Sequence, residues 1–303
     1  MLPARLPIRC TAALLALLLA GCLAPPADVP PTSTLPPSPP TLPAEGPTGE
    51  AAPDTGETTI PAITGTTGPT ADPRATLRTP GPCEHLLWPL RDGATWTYRL
   101  LAPDGSETPV ELTASVGEAG ATLSSGGRAA ALICGEGVLA GLPPLPAAHP
   151  DLGRRLAGAN PTGALLPAPS VLLPLGQPTG WDLEVDAGGE LAIPGEAGAT
   201  VLPVTGGQMV LIHETGELQH VAVPAGEFLA LPVMRDVLLD ARLQGADGSE
   251  QSAIVSASSR LHFAEGVGLV RVEYLGGIVS TAEGAAPLEP GMVLELVAYN
   301  LPE

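Results

Sequence analysis

From residue 83 onward the chain alternates short apolar runs with turn residues, and within the runs the spacing is that of strands rather than helices. Trp96 to Leu101 and Thr108 to Val116 flank Pro103-Asp104-Gly105, and Phe228 to Leu243 and Gln251 to Phe263 flank Ala246-Asp247-Gly248. Both read as hairpins, because Gly and Pro supply the dihedrals that a tight turn needs. Val210 to His213 and Leu218 to Val223, around Glu214-Thr215-Gly216-Glu217, read as a third hairpin. Val267 to Tyr274 follows Glu265-Gly266, and Met292 to Tyr299 closes the chain. In that last run Val293, Glu295 and Val297 alternate with Leu294, Leu296 and Ala298. Neither set is purely polar, so the strand is expected to be central or covered on both sides. Helical periodicity is scarce, and its best segment, Leu152 to Ala159, is cut short by Asn160-Pro161. Sequential hairpins predict an all-β fold with a mostly antiparallel sheet, arranged as a half-barrel or a sandwich.

Two stretches before residue 83 break this grammar. Cys10 to Ala20 is an apolar run of about 11 residues behind Arg5 and Arg9. It has the length of a signal-peptide core and is too short to cross a bilayer interior of ~30 Å as a helix. Leu23 to Pro82 holds sixteen prolines among Thr, Ser and Gly, and the first aromatic residue of the chain is Trp88. Runs such as Pro36-Pro37-Ser38-Pro39-Pro40 can form neither a helix nor a central strand, and nothing here can bury a core. A disordered spacer is expected, spanning roughly 40–50 Å as a coil and ~180 Å as extended polyproline. The layout is therefore a leader over 1–21, a Pro/Thr-rich tether over 22–82 and a β-rich domain over 83–303.

Composition narrows the function classes. The 303 residues carry a formal net charge of −19, with 13 Arg and no Lys. Removing residues 1–21 deletes Arg5 and Arg9 and leaves −21. A chain this acidic is repelled by nucleic acid and by anionic headgroups, so direct binding to either is not expected. Hydrophobic residues make up 44% but aromatics only 3%, so the core must be built of Leu, Val, Ile and Ala.

The run ends in Leu19-Ala20-Gly21-Cys22, and in this it resembles bacterial lipoprotein precursors, whose motif is Leu, a small residue, Gly or Ala, then Cys. The resemblance implies cleavage before Cys22, a thioether-linked diacylglyceryl group on its sulfur, and a further acyl chain on its new amine. Two or more chains hold a protein on a membrane where one does so only marginally. Position 23 is Leu rather than the Asp of the enteric inner-membrane retention signal, so which membrane is left open. On this reading Cys10 leaves with the leader and Cys22 is lipidated. Cys83 and Cys134 remain, and an even pair in an exported chain predicts a disulfide, with two free thiols as the alternative. Closing ~50 residues would contribute up to about 4 kcal/mol in the chain-entropy model.

Within the domain, Pro89-Leu90-Arg91-Asp92-Gly93-Ala94-Thr95-Trp96-Thr97-Tyr98 is similar to the PLxxGxxWxY opening of a loosely defined group of secreted bacterial β proteins. Val221-Ala222-Val223-Pro224-Ala225-Gly226-Glu227-Phe228 resembles their VxVPAGxF hairpin, and Gly266-Val267-Gly268-Leu269-Val270 their GVGLV strand entry. The group has no agreed activity, so the resemblance implies a fold. The chain departs from it in the long tether and in the Ala/Pro-rich segment from Leu142 to Pro174. Pro89-Leu90 before Trp96 and Pro174-Leu175 before Trp181 share a five-residue spacing, which points to two related halves.

Candidate chemistry is sparse. His213-Glu214 and His220 are seven residues apart across a turn, whereas a helical zinc site needs two His four apart, so no metal is expected. Asp104-Gly105-Ser106-Glu107 and Asp247-Gly248-Ser249-Glu250 lack the repeated acidic spacing of a calcium loop and read as hairpin turns. No nucleophile elbow, phosphate loop or dinucleotide fingerprint is present. The expectation is a protein without catalytic activity or cofactor, anchored outside the cytoplasm to a bacterial membrane through Cys22. It would serve as a binding or envelope-structural module whose protein or small-molecule partner the sequence does not name. A lipid or lipoprotein carrier with an apolar concave sheet is the alternative, and a hydrolase a distant third.

Overall fold

A computed structural model describes residues 81–302, apart from 119, 153–154 and 196–197. The expected leader, the expected tether up to residue 80 and Cys22, the expected lipidation site, lie outside the described residues. Sixteen strands account for most of what is described. A two-residue pair, β1 (Glu84–His85) and β2 (Trp88–Pro89), opens the domain. There follow β3 (Thr95–Leu101), β4 (Glu107–Gly117), β5 (Gly120–Ser125), β6 (Arg128–Gly135), β7 (Val138–Ala140) and β8 (Leu156–Gly163). The longer strands come next: β9 (Gly180–Ile193), β10 (Thr200–Thr215), β11 (Gln219–Val223), β12 (Gly226–Gln244), β13 (Glu250–Ala264) and β14 (Gly268–Thr281). β15 (Gly284–Leu288) and β16 (Val293–Asn300) complete the set, and among the described residues the one α-helical turn is α1 (Pro169–Leu172).

One antiparallel sheet runs β7-β6-β5-β4-β3-β16-β14-β13-β12-β10-β9-β8, with β11 added to β12 and β15 to β14. Its two ends nearly meet. The Leu139 N–H in β7 donates to the Leu166 carbonyl at 3.0 Å, and the N–H groups of Leu165 and Leu166 donate back to the Leu139 carbonyl at 2.8 and 3.1 Å. The result is an almost closed, barrel-like sheet. β16 lies between β3 and β14, so the closing strand of the chain is a central strand. Both hairpins around Pro103-Asp104-Gly105 and Ala246-Asp247-Gly248 form. In each turn the aspartate carboxylate accepts a backbone N–H two residues on, Ser106 and Ser249 respectively, at 2.9 Å.

Two local expectations fail. Leu218 to Val223 does not fold back on Val210 to His213; β11 pairs with β12 through the Pro224-Ala225 turn, and β10 pairs with β12 and β9. The longer register with β12, eleven residues, outweighs the short turn at Glu214 to Glu217. Leu152 to Ala159 is not a helix either. Leu152 ends a single 3-10 turn and Leu156 starts β8, because an edge of the sheet is open beside β9 and β-sheet pairing overrides weak helical periodicity.

Alternation over much of their length gives the long strands a buried inner face, as in Met209, Leu211 and His213 of β10 or Val233, Arg235, Val237, Leu239, Ala241 and Leu243 of β12. The inner face is covered by the chain itself. Gly141 to His149, Gly-Leu-Pro-Pro-Leu-Pro-Ala-Ala-His, is buried without a break, and so is Ala164 to Pro167. A buried loop normally strands backbone polar groups away from water. Here proline removes several donors outright, and side chains cap the carbonyls. Arg128 Nη2 donates to Pro144 O at 2.9 Å, Tyr274 Oη to Pro146 O at 3.4 Å, and Trp181 Nε1 to Leu165 O at 3.3 Å. His85 and His149 act as clasps. Each accepts a backbone N–H at Nδ1, from Leu87 and Asp151, which leaves Nε2 to donate to Pro167 O and Glu289 O, both at 2.9 Å. The Ala/Pro-rich segment that sets this chain apart in sequence thus supplies the plug of its barrel through its buried stretches up to His149 and from Ala164 to Pro167, with β8 between them in the sheet.

Candidate functional site

A transverse row of polar and aromatic side chains crosses the inner face on five strands. Register pairs Trp181 of β9 with His213 of β10, His213 with Arg235 of β12, Arg235 with Ser259 of β13, and Ser259 with Tyr274 of β14. Five neighbouring strands therefore place an indole, an imidazole, a guanidinium, a hydroxyl and a phenol side by side. Above and below Arg235 on its own strand are the buried Val233 and Val237.

The indole of Trp181 and the ring of His213 are stacked, with centroids 5.1 Å apart and planes inclined by 9°. Burial first, and the neighbouring Arg235 charge second, push the His213 pKa down to about 3, so the ring is neutral at pH 7. Beyond a weak opposing interaction with the Trp181 backbone, neither ring nitrogen has a partner at hydrogen-bond geometry among the described residues. Arg235 is 4% exposed. Its Nε donates to Ser259 Oγ at 3.0 Å. Burial lowers its pKa to about 10, so the guanidinium keeps its charge at neutral pH. Among the described residues no carboxylate comes within ion-pair distance of it. The outer side shows the contrast: Arg99 meets Glu295 at 3.0 Å, Arg260 meets Glu273 at 3.2 Å and Arg271 meets Glu273 at 3.2 Å. Ion pairs hold these three cations that water can reach, while Arg235 on the inner face has none among the described residues.

Between this row and the plug lies a cavity of about 20 Å³, lined by Arg235, Trp88, Tyr274, Phe263 and the plug residues Leu142 to Ala147. It admits little more than one water-sized sphere. On the outside, a shallow groove of about 290 Å³ runs past Thr97, Arg99, Glu107, Pro109, Pro224 and Val297. Ser259 is hydrogen-bonded to a guanidinium rather than to a base, so its hydroxyl is not set up as a nucleophile.

The sequence-derived candidates fall elsewhere. Cys83 and Cys134 are joined by a disulfide, with Cα atoms 5.0 Å apart, which ties the residue before β1 to β6. His213 points inward, while His220 is exposed and sits 3.2 Å from Glu227, so the two do not share a site. Among the described residues no three His, Cys, Asp or Glu side chains are grouped to hold a metal. Arg235, Ser259 and Tyr274 were not singled out by sequence reasoning. The signal existed for Arg235: from Leu231 to Leu243 every odd position is apolar except this one.

No protein-family model and no curated protein matches the chain. Two solved structures are similar to it. One is described as an exported protein with a YmcC-like fold from Bacteroides fragilis, with a TM-score of 0.41 and 13% identity, covering 72% of this chain and 100% of that one. The other is described as a lipoprotein from Parabacteroides distasonis, with a TM-score of 0.36 and 10% identity, covering 71% of this chain and 99% of that one.

Proposed function

We propose that this chain is a lipid-anchored, extracytoplasmic protein whose plugged β domain serves as a non-enzymatic binding or envelope-structural module. The observation that carries the reading is Leu19-Ala20-Gly21-Cys22 at the end of an apolar run and ahead of a proline-rich spacer. The filled barrel supports the choice of module over carrier. An acyl-chain carrier needs a concavity of several hundred Å³, and the cavity between the polar row and the plug holds about 20 Å³. Partners would then meet the outer surface, where Ile212, Leu238, Ile254 and Ile278 are 44–55% exposed. The test is intact mass spectrometry of the protein extracted from membranes of its native host. A chain that begins at Cys22 and carries two or three acyl groups is expected. A soluble, unmodified chain would overturn the anchor, and co-purified lipid within the barrel would overturn the module in favour of the carrier.

A further inference from the structure

We propose that the barrel interior contains a binding site for one halide-sized anion, in the cavity lined by Arg235 and Trp88 beneath the plug. Three observations converge on it. Arg235 is buried, charged and engaged only through Nε, so among the described residues its two Nη groups have no acceptor. Trp88 lines the same cavity, is 1% exposed, and its indole N–H is likewise without an acceptor among the described residues. The other lining residues have apolar side chains, Leu142, Leu145, Phe263, Leu269 and Val272 among them, apart from Tyr274, whose hydroxyl is already turned to Pro146 O.

Unengaged groups that are all donors define the ligand by its chemistry. A buried charge without a counter-charge is unfavourable, and an anion removes that penalty directly. Water would accept from the donors but bring two O–H groups of its own into an apolar lining, whereas a halide accepts from every side. Volume sets the rest: about 20 Å³ takes a monatomic ion and excludes phosphate, sulfate and a lipid headgroup. Chloride is the abundant species that fits. This site does not depend on the lipid anchor, and its success or failure leaves that reading untouched.

Bromide is the probe, because it scatters anomalously and is close to chloride in size. Crystals of the mature protein grown in sodium bromide should show one anomalous peak within about 3.5 Å of an Arg235 Nη atom. In solution, the thermal midpoint of the full mature chain is titrated with sodium chloride or bromide, with sodium gluconate holding the ionic strength constant. A saturable rise with either halide is expected in the native protein and is lost in Arg235→Met, which keeps the volume and removes the charge. Trp88→Phe should shift the half-saturating concentration upward several-fold and retain the rise. An anomalous map without a peak at Arg235, a midpoint indifferent to halide, or a halide response that survives in Arg235→Met would each overturn the proposal. Should Arg235→Met fail to fold, the crystallographic peak and the native titration decide on their own.

Discussion

Trp96 is the second residue of β3 and Trp181 the second residue of β9, and each donates its indole N–H to a backbone carbonyl, Val267 at 2.8 Å and Leu165 at 3.3 Å. Both follow a Pro-Leu pair at the same spacing. Around them the two corners part company. Trp96 is fully buried and meets Trp88 edge-to-face at 6.2 Å, and Trp88 in turn meets Phe263 at 6.1 Å. The corner is so tight that a methyl on Gly268, whose φ is +117°, would fall 2.8 Å from Trp88 Cδ1. Trp181 is only half-buried, and its neighbour is a neutral histidine beside an uncompensated guanidinium. The same local signal thus closes an apolar corner in one place and opens a polar row in the other. What separates them is the partner strand, which no local motif encodes.

Truncation should expose this difference most strongly. Trp96→Ala removes a side chain with no solvent contact and is expected to cost about 3–5 kcal/mol. Trp181→Ala, half-exposed and leaving His213 a wetter surface, should cost about 2 kcal/mol. Urea denaturation of both variants measures the gap, and equal losses would erase the distinction between the corners. The disulfide belongs to the first corner, since Leu90 N donates to Cys83 O beside β2. A Cys83→Ser/Cys134→Ser variant should lose up to about 4 kcal/mol. That loss should leave the Trp181 to Tyr274 row unaltered, which halide titration of the variant would report.

Proton linkage distinguishes the corners in another way. His85, His149, His213 and His262 all have pKa values lowered, in each case chiefly by burial. A folded-state pKa below the unfolded value of about 6.5 means that the unfolded chain binds more protons in between. The stabilisation is therefore complete above pH 6.5 and is lost as pH falls, down to about 4 for His262 and about 3 for His213. Each histidine contributes a slope of roughly 1 kcal/mol per pH unit within its window. Stability followed from pH 7 to pH 4 should fall steadily, and His213→Gln should flatten the slope by about one proton. An unchanged slope in that variant would mean that the second corner does not hold its histidine neutral.

These contrasts also show how far the sequence could be read. Strand placement, the antiparallel arrangement and the centrality of β16 follow from alternation and turn residues, because those are local. The plug did not follow: composition marks Leu142 to Pro174 only as Ala- and Pro-rich, and its buried part rests on the missing N–H groups of Pro143, Pro144 and Pro146 together with the side chains that cap its carbonyls. The polar row is hidden for a different reason. His213, Ser259 and Tyr274 carry no local sign of the row in their own strands, and register alone brings them to Arg235. Arg235 could have been flagged by parity, but nothing along the chain says that no carboxylate lies opposite.

The smallest expected effect is at Leu238, three residues from Arg235 on β12 and on the opposite face. It is 51% exposed, with Asp236 and Asp240 two residues to either side on the same face. Leu238→Arg places a third guanidinium on this strand, beside Arg235 and Arg242, in water and within reach of two carboxylates. Exposed pairs of that kind contribute little, so the variant should match the native protein within about 0.5 kcal/mol. A loss of several kcal/mol would mean that the outer face is covered by something that stabilises the fold. An unchanged stability leaves Leu238→Arg as a folded variant with an altered outer surface, the form needed to ask whether a partner docks there.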